Sequence, residues 1–178
     1  MNRASIVSIL SAACDDVVRQ LARVPLPHWN ESVFRFLIVR RLRADKPNIR
    51  CETEWHRIDL VLFDPQGATL LELKFFSAMP LVDHAGRVLR TKGSPGKKNY
   101  REYQDVIKKL RTIRHRKWIT DCGRVASAHL LLAYSDSFES YYDGIAESDA
   151  IARVSPILKR TPVGQDSNLT CKLITVRI

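Results

Sequence analysis

Two short apolar runs constrain this chain more than anything else in it. They are residues 58–63 (Ile-Asp-Leu-Val-Leu-Phe) and 69–76 (Thr-Leu-Leu-Glu-Leu-Lys-Phe-Phe), and Asp64-Pro-Gln-Gly67 lies between them. Apolar runs of this length, bounded by turn residues, read as strands. Proline second and glycine fourth suit a tight turn, so the two runs predict an antiparallel hairpin. Three charged residues, Asp59, Glu72 and Lys74, interrupt the apolar pattern. Side chains alternate along a strand, so Glu72 and Lys74 share one face while Leu71, Leu73 and Phe75 take the other. The hairpin can bring Asp59 beside Glu72. Charges inside an apolar strand cost free energy unless they are paired, so these three serve either chemistry or a buried structural ion-pair cluster.

The flanking sequence fills in a layered fold. Residues 5–24 read as a first helix, with Ile6, Ile9, Leu10, Val17 and Leu21 at helical spacing, stopped by Pro25 and Pro27. Asn30 caps a second helix over 31–44, which ends before Pro47. Residues 50–55 alternate like a half-buried strand. After the hairpin, 77–99 reads as a long glycine- and proline-punctuated connection, of the kind that is often functional. An amphipathic helix over 99–118 buries Tyr100, Tyr103, Val106, Ile107, Leu110 and Ile113. Residues 126–134 are apolar nearly throughout and predict a central strand. Segment 135–164 is harder to assign, with short helices expected near Glu139 and over 150–158, and 169–178 reads as a last strand. The expected class is α/β, a mixed sheet flanked by helices. It is a single domain spanning 1–178, with a core over 30–134, an N-terminal helix and a C-terminal extension over 135–178.

The net charge of +10 is placed unevenly. Residues 87–124 hold thirteen basic and three acidic residues, which equals the whole excess, and the rest of the chain balances at sixteen of each. A stripe of this kind points to a polyanion, because each phosphate it neutralises releases counterions. The candidate nucleic-acid contacts are Arg87, Arg90, Lys92, Lys97, Lys98, Lys108 and Arg111. Cys14, Cys51, Cys122 and Cys171 are scattered, which predicts reduced thiols and not a zinc or redox motif. No stretch is long and apolar enough for a membrane span and no leader is evident, so no membrane partner and a cytoplasmic location are expected. The five histidines form no metal-binding spacing, and no glycine-rich phosphate loop follows a strand. Tyr141 and Tyr142, with Phe138, could stack on bases, although a core or subunit contact is the plainer expectation.

Asp59 and Glu72 can hold a hard divalent cation through oxygen, and the carbonyl of Leu73 can add a ligand. Lys74 then lies within reach of a metal-bound water, where its charge orients the nucleophile, assists its deprotonation or stabilises the transition state. Asp59 followed by Glu72-Leu73-Lys74 resembles the signature of the PD-(D/E)XK nuclease superfamily, to which many restriction enzymes and Holliday-junction resolvases belong. The order of elements from Asn30 to Tyr134 is similar to that family's core of helix, three strands, helix and strand. Ile58, where the signature has proline, is a departure that the family often shows.

The resemblance implies a restriction-endonuclease-like fold and hydrolysis of phosphodiesters with Mg²⁺ or Mn²⁺, leaving a 5′-phosphate, with DNA favoured over RNA. It maps the acidic residue of the family's leading helix onto Glu31, and a residue of the following helix onto Gln104 or Lys108. The expected catalytic set is Asp59, Glu72, Lys74, Glu31 and Gln104, with Asp59, Glu72 and Leu73 on the metal. Glu52 and Glu54 read as surface partners for arginines. Two alternatives stay open: a catalytically inactive nuclease fold that only binds nucleic acid, and an assembly subunit whose basic helix meets an acidic protein. A homodimer would suit cleavage of two strands, but no interface is legible.

Overall fold

The computed structural model describes residues 30–76, 79–92, 96–115, 123–135, 150–153, 169–176 and 178, together with 8–10, 12, 13, 15, 16, 19 and 20. The described N-terminal residues are helical, and Ile9, Leu10 and Ala13 are buried. Helix α1 spans Glu31–Asp45 and helix α2 spans Lys97–Arg111, followed by a 3₁₀ turn at Ile113–His115. The strands are β1 (Arg50–Trp55), β2 (Ile58–Asp64), β3 (Gly67–Phe76), β4 (Met79–Val82), β5 (Val88–Lys92), β6 (Val125–Ser135), β7 (Ala150–Arg153) and β8 (Leu169–Val176). Six of them form one sheet in the order β1-β2-β3-β6-β8-β7, and β4 and β5 form a separate two-stranded ribbon.

Asn30 starts α1 as its sequence requires: its side chain accepts the Val33 N–H at 3.0 Å. Phe34, Leu37, Ile38 and Leu42 then face the sheet. The β2–β3 hairpin closes with Asp64 opposite Gly67. Gly67 has φ +128, and a Cβ there would lie 2.3 Å from the carbonyl oxygen of Arg124, so no larger residue fits without a shift. That close approach lets Ala68 N–H donate to the same carbonyl at 2.7 Å, which ties the start of β3 to the entry of β6. The two strands run parallel, as a crossover through the ribbon and α2 permits.

The sheet is buried on both faces. Leu60, Leu62, Leu71, Leu73 and Leu131 pack with α1 and the N-terminal helical residues. Val61, Leu70, Phe76, Leu130 and Leu132 pack with α2. The mixed α/β sheet with flanking helices is therefore present, and β6 is central, paired with β3 on one side and β8 on the other. Among the described residues, no helix is long and apolar enough to cross a membrane.

Three expectations change. The connection 77–99 is not irregular throughout, because it holds the β4–β5 ribbon, turned at Gly86 with φ +79. Helix α2 begins two residues earlier than expected and leaves α-helical geometry at Thr112. Residues 150–153 are a strand and not a helix: Ala150–Arg153 completes the open edge of β8, where backbone groups would otherwise lack partners. Glu139, Phe138, Tyr141 and Tyr142 lie outside the described residues.

Candidate active site on the β2–β3 hairpin

Asp59 stands where the regular ladder breaks. The β2–β3 register runs from Asp64↔Gly67 to Leu60↔Leu71, and one further step places Asp59 opposite Glu72. On its other side β1 pairs at Thr53↔Leu60 and Trp55↔Ile58, with a gap at Glu54 and Asp59. Glu54, His56 and Arg57 all have positive φ (54°, 48° and 66°), an unusual concentration for residues with a Cβ. The break frees the end of the hairpin from strict pairing. Asp59 uses that freedom: its Oδ2 accepts the Leu73 N–H at 2.8 Å. A strand residue projects its N–H and C=O to the same side, so the Leu73 carbonyl lies on the edge that Asp59 faces.

Glu72 is 4 % exposed, and its Oε1 accepts from the Lys109 ammonium at 2.5 Å. The same ammonium donates to the Arg57 carbonyl, so Lys109 ties α2 to β3 and to the turn between β1 and β2. Burial pushes the Glu72 carboxyl from 4.5 up to about 7. Lys109 opposes that rise, and the neighbouring Asp59 carboxylate adds to it. Lys74 Nζ donates to both Glu31 carboxylate oxygens, at 3.1 and 3.3 Å. Glu31 Oε1 also accepts the Phe75 N–H at 3.3 Å, which clamps the first turn of α1 to β3. Burial works to lower the Lys74 pKa, but Glu31, Asp59 and Glu72 together hold it above its ordinary value. At neutral pH Lys74 is therefore a fixed positive charge.

Asp59, Glu72, Lys74 and Glu31 thus meet in one cluster, drawn from α1, β2 and β3. Gln104 and Lys108, the candidates on α2, are exposed instead, and the residue of that helix that reaches Glu72 is Lys109. Arg35 is the second unforeseen member: its guanidinium pairs with Glu54 and lies 3.5 Å from Asp59 Oδ1. Only the apolar spacing of α2 could have pointed to Lys109, which sits beside the buried Leu110 on the flank facing the sheet. Glu52 pairs with Arg50 at 3.0 Å, so both β1 glutamates partner arginines.

No group of three His, Cys, Asp or Glu side chains gathers around a cation position among the described residues. The carboxylates gathered here are Asp59 and Glu72, and the expected third ligand, the Leu73 carbonyl, belongs to the residue whose N–H Asp59 binds. Two carboxylates suit Mg²⁺, which keeps several waters and completes its shell from substrate phosphate. A dication there would share or displace the Lys109 ammonium on Glu72.

Of the candidate nucleic-acid residues, Lys97, Lys98, Lys108 and Arg111 are exposed on α2. Arg87 is exposed but ion-paired with Asp83 at 2.8 Å. Arg90 and Lys92 stand opposite Leu81 and Met79 in the ribbon register. Comparison with protein-family models, with curated proteins and with solved structures finds no match for the chain.

Proposed function

We propose that this chain is a metal-dependent nuclease that hydrolyses phosphodiesters of nucleic acid, with DNA as the favoured polymer. The observation that carries the reading is the meeting of Asp59, Glu72 and Lys74 at the broken end of the β2–β3 hairpin. Mg²⁺ or Mn²⁺ held by Asp59, Glu72 and the Leu73 carbonyl would supply Lewis acidity and an activated water. Asp59 is pre-set for this by its bond to Leu73 N–H and by Arg35. Glu31 holds Lys74 protonated and aimed, so its role is electrostatic: it steadies the charge that develops on the phosphoryl oxygens in the transition state. A lysine kept charged in this way is a poor general base, which narrows the roles open to it. The stripe of basic residues on α2 and the ribbon would hold the phosphate backbone without reading sequence.

One observation favours a second reading, an inactive nuclease fold that only binds: both Glu72 and Lys74 already have ion-pair partners. Cleavage assays with Mg²⁺ or Mn²⁺ on supercoiled, linear, branched and single-stranded substrates separate the two. The wild-type chain should cut at least one of them. Lys74→Ala should abolish cutting and keep most binding. Asp59→Asn retains an oxygen for Leu73 N–H, so it should fold while losing metal binding and cleavage. Full activity in either variant refutes the assignment, and binding without cleavage on every substrate favours the second reading.

A further inference from the structure

The β4–β5 ribbon is joined to the elements that build the site. It follows the end of β3 at Phe76, two residues past Lys74, and it precedes α2, which carries Lys109. It is not part of the main sheet, and a two-stranded ribbon alone is marginally stable in water. Its tip is nonetheless organised. The Asp83 carboxylate accepts the N–H groups of Ala85 and Arg87, each at 2.9 Å, and the Arg87 guanidinium at 2.8 Å. Beside this tip stand Val88 and Leu89, 57 % and 69 % exposed. The register passes from Val82↔Val88 to Leu81↔Arg90, so Leu89 is the extra residue of a bulge, a device that re-aims a side chain. Two adjacent, outward apolar side chains on a pinned tip form a small apolar patch open to a partner.

The local charge says what covers them. The ribbon, residues 79–92, carries Arg87, Arg90 and Lys92 against Asp83 alone, which pairs with Arg87, and Lys97 and Lys98 follow at the start of α2. An apolar tip on a cationic stem matches a polyanion with an apolar interior, which is a duplex nucleic acid. A two-stranded ribbon fits a duplex groove, and inserted aliphatic side chains part base steps. We propose that the β4–β5 ribbon is a duplex-engaging arm that presses Val88 and Leu89 against a base step and unstacks it. This rests on the nucleic-acid part of the proposed function and is independent of catalysis.

The test uses the full chain in EDTA with duplex DNA carrying 2-aminopurine at scanned positions, fully paired or beside a mismatch. Binding should raise the 2-aminopurine fluorescence, more so beside the mismatch, where unstacking is cheaper. The double variant Val88→Ser, Leu89→Ser should lose that rise and bind about tenfold more weakly, from lost apolar burial. Its salt slope should match wild type, since neither residue is charged. Both residues are exposed, so the variant should keep the wild-type circular dichroism. Wild-type binding with no fluorescence rise at any position overturns the inference, as does a double variant that keeps the rise. A failure to bind duplex at low salt overturns it too, and so does loss of self-association in the double variant with DNA binding intact. A chain that unstacks duplex but cuts nothing sinks the nuclease reading and leaves the arm standing.

Discussion

Glu72→Gln separates the charge of the site from its shape. Glu72 is buried, and its carboxyl titrates at about 7 in the folded chain against an ordinary value of 4.5. Between those values the folded protein holds one proton more than the unfolded chain. The contribution of Glu72 to stability therefore falls as pH rises through that window and is level above it. The window spans about 2.5 pH units, and about 1.4 kcal/mol per unit gives a loss of about 3 kcal/mol. Glutamine has the shape of the protonated acid, offers Lys109 an oxygen and does not titrate. The stability of the variant relative to wild type should thus climb by about 3 kcal/mol from pH 4.5 to pH 7.5. Urea denaturation of both proteins in EDTA, at half-unit pH intervals, measures the difference directly. Other titrating groups cancel in the comparison. Parallel stability profiles would refute the argument that burial of Glu72 stores free energy at this site, and a difference of opposite slope would refute its sign.

Glu31→Gln keeps an acceptor for the Phe75 N–H but removes the charge beside Lys74. The Lys74 pKa should fall, measurable by NMR titration, with a stability loss of only about 0.5–1 kcal/mol because the pair is partly exposed. Neutralising Lys92, Lys97 and Lys98 together should weaken binding to all duplex sequences alike and reduce the salt slope by about two to three units. An unchanged isotherm at several salt concentrations would assign those charges to solubility alone. Gly67→Ala should cost about 2 kcal/mol or more in thermal or urea unfolding, since it forces both a positive φ and a contact with the Arg124 carbonyl. A variant within 0.5 kcal/mol of wild type, the range of an ordinary surface change, would show that β3 and the β6 entry can separate at little cost.

What the sequence by itself determined lies within single elements. The Asn30 cap, the Asp64–Gly67 turn and the alternation along β3 depend on neighbours a few residues apart, so periodicity and turn chemistry expose them. Alternation puts Glu72 and Lys74 on one face, and the short hairpin puts Asp59 opposite Glu72. What only the tertiary structure decided depends on how elements dock. Lys108 and Lys109 are adjacent in sequence, but they point about 100° apart around a helix, and the packing of Leu110 and Ile107 sets which one meets Glu72. Arg35 joins the site only because α1 crosses the sheet beside the broken ladder at Asp59. Ala150–Arg153 carries too little local pattern to be a strand alone, and becomes one because β8 offers an open edge. The ribbon was hidden for a related reason: strands of four and five residues amid glycine and proline have no preference strong enough to stand out until they pair.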